Sequence, residues 1–104
     1  DHKARLIVNE AIDRGDLEHI TIDQKFFLIL PLIHSEDISD HIFAHNLCDT
    51  YLKSHPQFDN IKKQFDYHTV AIKKFGRYPH RNETLKRSST KEEKIFLDKP
   101  NSSW

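Results

Sequence analysis

The sequence predicts an all-α fold, an antiparallel helical array, on three observations. Gly15 and Gly76 are the only glycines in 104 residues, too few for the turns and bulges of a β-sandwich or barrel. Pro31, Pro56, Pro79 and Pro100 divide the chain at spacings of 25, 23 and 21 residues, and each interval holds a helix and a connection. Phe58, Ile61, Phe65, His68, Ile72 and Phe75 recur at steps of 3, 4, 3, 4 and 3, the period of one helical face.

The first helix is expected from about His2 to Arg14, with Leu6, Ile7, Ala11 and Ile12 as its apolar side. Gly15 stands where a left-handed cap belongs. The second runs from about Thr21 to Leu30. Its run Phe26-Phe27-Leu28-Ile29-Leu30 is apolar all round, which suits a helix buried between neighbours or, equally by periodicity, a buried strand. The third runs from about Asp37 to Ser54. Ser35 or Asp37 caps it, acidic Glu36, Asp37 and Asp40 suit the positive end of its dipole, and Ile38, Ile42, Phe43, Leu47, Tyr51 and Leu52 form its buried side. The fourth, from about Gln57 to Phe75, carries the periodic stripe and ends at Gly76. A short helix follows Pro79. The last opens on Thr90-Lys91-Glu92-Glu93, a capping box in which Thr90 and Glu93 each satisfy an orphan backbone N–H, and Ile95, Phe96 and Leu97 supply its apolar contact.

Composition excludes several function classes. The 16 Lys+Arg and 16 Asp+Glu cancel, so bulk attraction to nucleic acid or anionic lipid is not the principle of action. A single cysteine, Cys48, excludes a disulfide framework and most Cys-based zinc sites. The longest apolar run, Phe26 to Ile33, falls far short of the ~20 residues that cross a bilayer. The chain is therefore expected in the cytoplasm, with no membrane contact. It begins at Asp1 and lacks Met, so a preceding segment is expected to be missing.

Three stretches stand out together: Pro31-Leu-Ile-His-Ser-Glu-Asp37, Phe75-Gly-Arg-Tyr-Pro-His-Arg-Asn82, and Arg87-Ser-Ser-Thr-Lys-Glu-Glu93 followed by Ile95-Phe96-Leu97. This pattern resembles a bacterial family of uncharacterised proteins, the domain-of-unknown-function family nine-two-four, over essentially the whole chain. The resemblance implies a helical fold similar to tetratricopeptide repeats. It also implies that residues 1–104 form one helical domain that is the C-terminal part of a longer one, with a further helical half upstream. Asp1 and Ala4 match the family pattern before the first helix. Two positions depart from it. The family usually has Leu-Gly-Arg where this chain has Leu85-Lys86-Arg87, and Gln where it has His41, which argues against His41 as a shared ligand. The resemblance implies no established reaction.

Charge is segregated although it sums to zero. From Lys73 to Lys94 there are eight Lys/Arg and three Glu. Around Gly76 and Pro79, this segment gathers Arg77, His80, Arg81 and Arg87. Guanidinium forks bind carboxylate or phosphate through paired hydrogen bonds, so these residues form a candidate anion pocket. The alternative is internal pairing, in which Arg81 or Arg77 clamps Glu36 or Asp37. His34 and His68, with Glu36 and Asp37, have the chemistry of a general acid–base set, but their spacing matches no metal motif. His41 and His45 are four apart and are expected on a solvated face. Cys48 is expected as a small core residue, Ser35 as a cap, and Asn82 as a turn cap or ligand partner. Trp104 packs back on the helices or belongs to a continuing segment.

The functional expectation is a binding domain with an Arg/His/acidic pocket for an anionic group. Its candidate ligand-binding residues are His34, Glu36, Asp37, His68, Arg77, His80, Arg81, Asn82 and Arg87. The alternative is a small enzyme using His/carboxylate acid–base chemistry on an anionic substrate. No cofactor and no metal is expected. The expected partners are a protein, a peptide, a small anionic ligand or a second copy of the chain. Nucleic acid is disfavoured, because Tyr78 alone offers an aromatic among the basic residues.

Overall fold

The computed structural model describes residues 2–100 and 102. Among them are five α-helices: α1 (His2–Asp13), α2 (Ile22–Ile33), α3 (Ile38–Tyr51), α4 (Phe58–Phe75) and α5 (Lys91–Leu97). Single 3-10 turns occupy Asp16–Glu18 and Pro79–Arg81. The described chain is all-α, and the strand alternative for the second segment falls away. The expectations for Asp1 and Trp104 lie outside the described residues.

Helix α1 packs on α2, α2 on α3 and α3 on α4, while α5 packs on the Pro79–Arg81 turn. The radius of gyration is 14.8 Å, above the ~13 Å of a compact chain of this length, so the array is elongated. Stacked helices joined by short connections are compatible with a tetratricopeptide-like arrangement.

The ends form for local reasons. Thr21 caps α2 in a full capping box with Gln24, Asp37 caps α3 through the Ser39 N–H, and Thr90 and Glu93 close the box on α5. Gly15 and Gly76 both sit in the left-handed region, at φ 72° and 70°, as their positions after α1 and α4 require. Lys86 adopts φ 57°, the one other left-handed residue described, at the position where the resemblance sets Gly.

One apolar cluster joins Val8, Ile29, Leu32, Ile33, Ala44, Leu47, Cys48, Leu52, Ile61 and Phe65. A second, smaller one joins Ala71, Ile72 and Tyr78, with Phe96 against it. The α4 stripe is buried as its period predicts: Ile61, Phe65, His68 and Ile72 face inward.

Several faces differ from expectation. On α1 the buried residue is Val8, while Leu6 and Ile7 are more than half exposed. Helix α2 continues through Pro31 to Ile33. The proline gives up the N–H that would bond to the Phe27 carbonyl, and the helix carries on past it because Leu32 and Ile33 are fully buried. Phe27, in the same helix, is exposed, so α2 is not covered on all sides. Helix α3 is rotated from its expected register: Asp40, His41, Ala44, Leu47 and Cys48 face inward, and Ile38 and Ile42 face out. On α5 the buried side chain is Glu93, and Ile95 is exposed.

Candidate functional site

Two polar structures meet at the end of α4. The first is a carboxylate–guanidinium clamp. Glu36, in the connection between α2 and α3, takes both Arg87 Nη atoms, at 3.0 and 3.1 Å, and the Tyr78 N–H at 2.6 Å. Arg87 also donates to the Asn82 side-chain carbonyl and to the Tyr78 carbonyl. Arg77 forks onto Glu93, with Nε at 2.9 Å and Nη2 at 2.7 Å, and Nη2 also reaches the Ser88 carbonyl. Asn82 donates to Glu93 and to Ser89. Thus residues 77–93, which have little apolar surface, are held in place by paired charges and neutral hydrogen bonds.

The internal-pairing expectation named the wrong partners. Arg87, not Arg81, grips Glu36, and Arg77 grips Glu93, a residue the sequence marked only as a cap. After the turn at Pro79–Arg81, Arg81 bonds to the His34 carbonyl instead, and only its charge acts on Glu36. Asp37 takes no part in the clamp; it caps α3.

The electrostatics follow the geometry. The Arg77 fork, opposed by burial and aided by the Thr90 N–H and Asn82, holds the Glu93 carboxyl down at about 2. Partial burial alone would raise Glu36. The Arg87 fork, the Tyr78 N–H and the charges of Arg87 and Arg81 together outweigh burial and hold it below its ordinary value.

The second structure is a ring cluster around Tyr78. The phenol is buried and donates to the Ile33 carbonyl at the end of α2. His68 meets it edge-on, with centroids 6.0 Å apart, and His34 lies 5.5 Å from His68. His80 and His41 contact the phenol ring from other directions, and the Arg81 guanidinium lies over it at 4.8 Å from the centroid. Burial pushes His68 down to about 4, even though its Nδ1 donates to the Gln64 carbonyl. Burial first and the Arg81 charge second lower His34 and His80. These imidazoles are neutral near pH 7.

Sequence reasoning missed His41, which is fully buried rather than solvated. A carbonyl only accepts, so the 2.7 Å contact from His41 Nε2 to the Ser35 carbonyl fixes the proton on Nε2. Its Nδ1 therefore accepts from the Thr69 hydroxyl at 2.9 Å. Thr69 in turn accepts from His45 Nε2 at 2.8 Å, and His45 Nδ1 faces the Lys62 ammonium at 3.2 Å. The chain of bonds links α3 to α4 and needs both rings neutral; burial lowers both. The signal was present: His41, Ala44, Cys48 and Leu52 recur at steps of 3, 4 and 4, a stripe that passes through His41. Asp40 was missed too. It is buried, accepts from Ser35 at 2.7 Å and pairs with Arg5 at 2.8 Å.

Of the expected ligand-binding residues, His34, His68, His80 and Arg81 gather around Tyr78, while Glu36, Arg77, Asn82 and Arg87 form the clamp beside it. Both carboxylates of the acid–base reading are engaged: Glu36 with Arg87 and Tyr78, Asp37 with the α3 cap. Cys48 is buried and burial raises its thiol to about 11, so it is no nucleophile. Among the described residues, no group of three or more His, Cys, Asp or Glu is placed to hold a metal, and no helix is long and apolar enough to cross a membrane.

Residues 1–101 match a family described as bacterial protein of unknown function, DUF924. The chain belongs to that family. No curated protein and no solved structure matches the chain significantly. The clamp lies in the Pro31–Asp37 and Phe75–Glu93 stretches, and the ring cluster adds His68 from α4 and His41 from α3 to them.

Proposed function

We propose that this DUF924 chain is a tetratricopeptide-like binding domain that receives an anionic group, on a small molecule or peptide, at Arg81. One observation carries the reading. Arg77 and Arg87 each end on a carboxylate, whereas Arg81 makes no ion pair with any described carboxylate. Its guanidinium is instead oriented by the Tyr78 ring and by one bond, from Nη2 to the His34 carbonyl at 2.7 Å. A guanidinium has five N–H donors, so a pre-aimed fork remains for a carboxylate or phosphate. Neutral His34 and His80 flank it and offer ring N–H donors or acceptors. The surrounding segment carries eight Lys/Arg against three Glu, which favours an anion's approach.

The test is a titration of the chain with inorganic phosphate and with acetate, followed by amide and side-chain NMR. A bound anion near Arg81 opposes the charge that lowers His34, so the His34 titration midpoint rises on saturation. Arg81→Gln abolishes the response, and Lys63→Gln, on exposed α4 surface, leaves it intact. Absence of any saturable shift with either anion overturns the reading.

A further inference from the structure

We propose that the outer face of α1, with the edge of α2 beside it, is an interface for a second copy of this chain, in which the two α1 helices lie antiparallel about a two-fold axis between Leu6 and Ile7. The face is apolar where the terminal helix of a stacked array needs to be polar. Leu6, Ile7 and Phe27 are 62, 56 and 67 % exposed. Ile7 and Phe27 line one cavity of about 270 Å³ together with Lys3, Ala4, Leu28 and Pro31. Two large aliphatic side chains and a phenyl ring grouped on one side mark a contact surface, whereas apolar residues exposed singly do not. No residue of this face belongs to the clamp or to the ring cluster.

The charge order of α1 selects the occupant. A helix on its own favours acid in its first turn and base in its last, because its N-terminus is the positive end of its dipole. Helix α1 has neither: Lys3 and Arg5 stand in the first turn, and Glu10 and Asp13 in the last. Arg5 turns inward to Asp40 and Ser39 of α3. Lys3 and Glu10 share the outer stripe with Leu6 and Ile7, at i, i+3, i+4 and i+7. Lys3 precedes Leu6 by the same step of three residues by which Glu10 follows Ile7. Turned end for end, the stripe therefore meets itself. Leu6 and Ile7 pack on Leu6 and Ile7 of the second copy, and each Lys3 stands beside Glu10 of the second copy. A two-fold interface must be self-complementary in this way. The antiparallel arrangement also sets each positive helix end beside a negative one. The pair that Glu10 makes with Arg14, at 3.8 Å, is loose and exposed, so a turn toward Lys3 costs little. With 12 residues α1 is about 18 Å long, so the contact is small and the dimer dissociates on dilution.

The experiment is sedimentation equilibrium of the full chain across a wide range of protein concentration, with helicity followed by circular dichroism. Expected is a reversible monomer–dimer equilibrium. Ile7→Glu sets two like charges together at the axis, weakens association about a hundredfold or more, and leaves helicity unchanged. Lys3→Glu and Glu10→Lys each place like charges opposite one another on both sides of the axis and weaken it about tenfold. The double variant, Lys3→Glu with Glu10→Lys, restores the dimer, because each copy again meets the opposite charge. A monomer at every concentration overturns the proposal, and the face then belongs to another occupant. A dimer that survives Ile7→Glu forms on a different surface and overturns it too. Association that Ile7→Glu abolishes, but that the double variant supports no better than either single one, overturns the antiparallel pairing.

Discussion

The α1–α4 array and the 77–97 segment are held by opposite kinds of interaction. In the array, ten buried apolar side chains form one cluster, and the contacts are non-directional. In the 77–97 segment the largest buried groups include Tyr78, Asn82 and Glu93, and the contacts are forks and hydrogen bonds with fixed geometry. An apolar core resists pH and yields to lost volume. A buried carboxylate network resists neither acid nor the loss of one partner, because the partner left behind is desolvated and unsatisfied. The candidate site lies where the two regions touch, with His34 and His68 from the array, and Arg81 and His80 from the clamped segment.

The largest expected effect separates the regions by volume. Phe65→Ala leaves a cavity in the centre of the array and costs about 3–5 kcal/mol, seen as a lower midpoint of global chemical unfolding. Removal of the clamp acts locally. Glu93→Ala strips Arg77, Asn82 and the Thr90 N–H of their shared acceptor and costs about 2–4 kcal/mol. Hydrogen exchange then rises across residues 77–97 while α2 and α3 amides keep their protection. Equal loss of protection in both regions means that they unfold as one unit and the comparison fails.

Acid titration reverses the order, because the histidines between the helices of the array yield before the clamp does. His68 binds its proton with an ordinary value of 6.5 when unfolded and at about 4 when folded. The unfolded chain thus holds more protons in that window, and stability is full above about pH 6.5 and is lost as pH falls toward 4, on the order of 2 kcal/mol. His41 and His45 act in the same direction, since protonation puts a new donor of His41 against the Thr69 hydroxyl and one of His45 against the Lys62 ammonium. Glu93 contributes later. Its carboxyl is lowered from 4.5 to about 2, so its share is present above 4.5 and is lost as pH falls toward 2. Unfolding free energies measured from pH 8 to 3 show a first decline that His68→Phe reduces, and a second that Glu93→Gln reduces. A pH-independent stability between 7 and 5 contradicts the neutral-histidine network.

The smallest effect is a gain. Lys86 has φ 57°, a conformation that strains an L side chain. Lys86→Gly relieves it and raises stability by about 0.5–1 kcal/mol after the entropy glycine adds to the unfolded chain. A loss of stability, seen in thermal unfolding, means that the Lys86 side chain makes contacts that outweigh the strain.

Helix existence and caps were legible because they depend on neighbours in sequence. Thr21 and Thr90 boxes, the Asp37 cap, and the left-handed Gly15 and Gly76 are all read within four residues. The α4 stripe was legible because its apolar set is unambiguous. On α3 and α1 the apolar residues cover more of the circumference than one neighbour buries, so the sequence offered two registers, and the choice that exposed Ile42 and buried His41 came from packing. The site was half legible. The gathering of His34, Arg77, His80, Arg81 and Arg87 in three stretches, with His68 on the α4 stripe, marked the region. Which arginine meets which carboxylate was not marked, because Arg77, Arg81 and Arg87 are chemically identical and differ only in where the Pro79 turn aims them.

By itself, then, the sequence determined the all-α class, the helix ends, the inert Cys48 and the concentration of charge near Gly76, since propensity, capping and composition act over short range. Only the tertiary structure decided that Glu93 and Glu36 neutralise Arg77 and Arg87, and that Arg81 lies over the Tyr78 ring with no ion pair to a described carboxylate. Each of these is a pairing across many residues of chain, set by which surfaces the helices bury together, and no local signal encodes it.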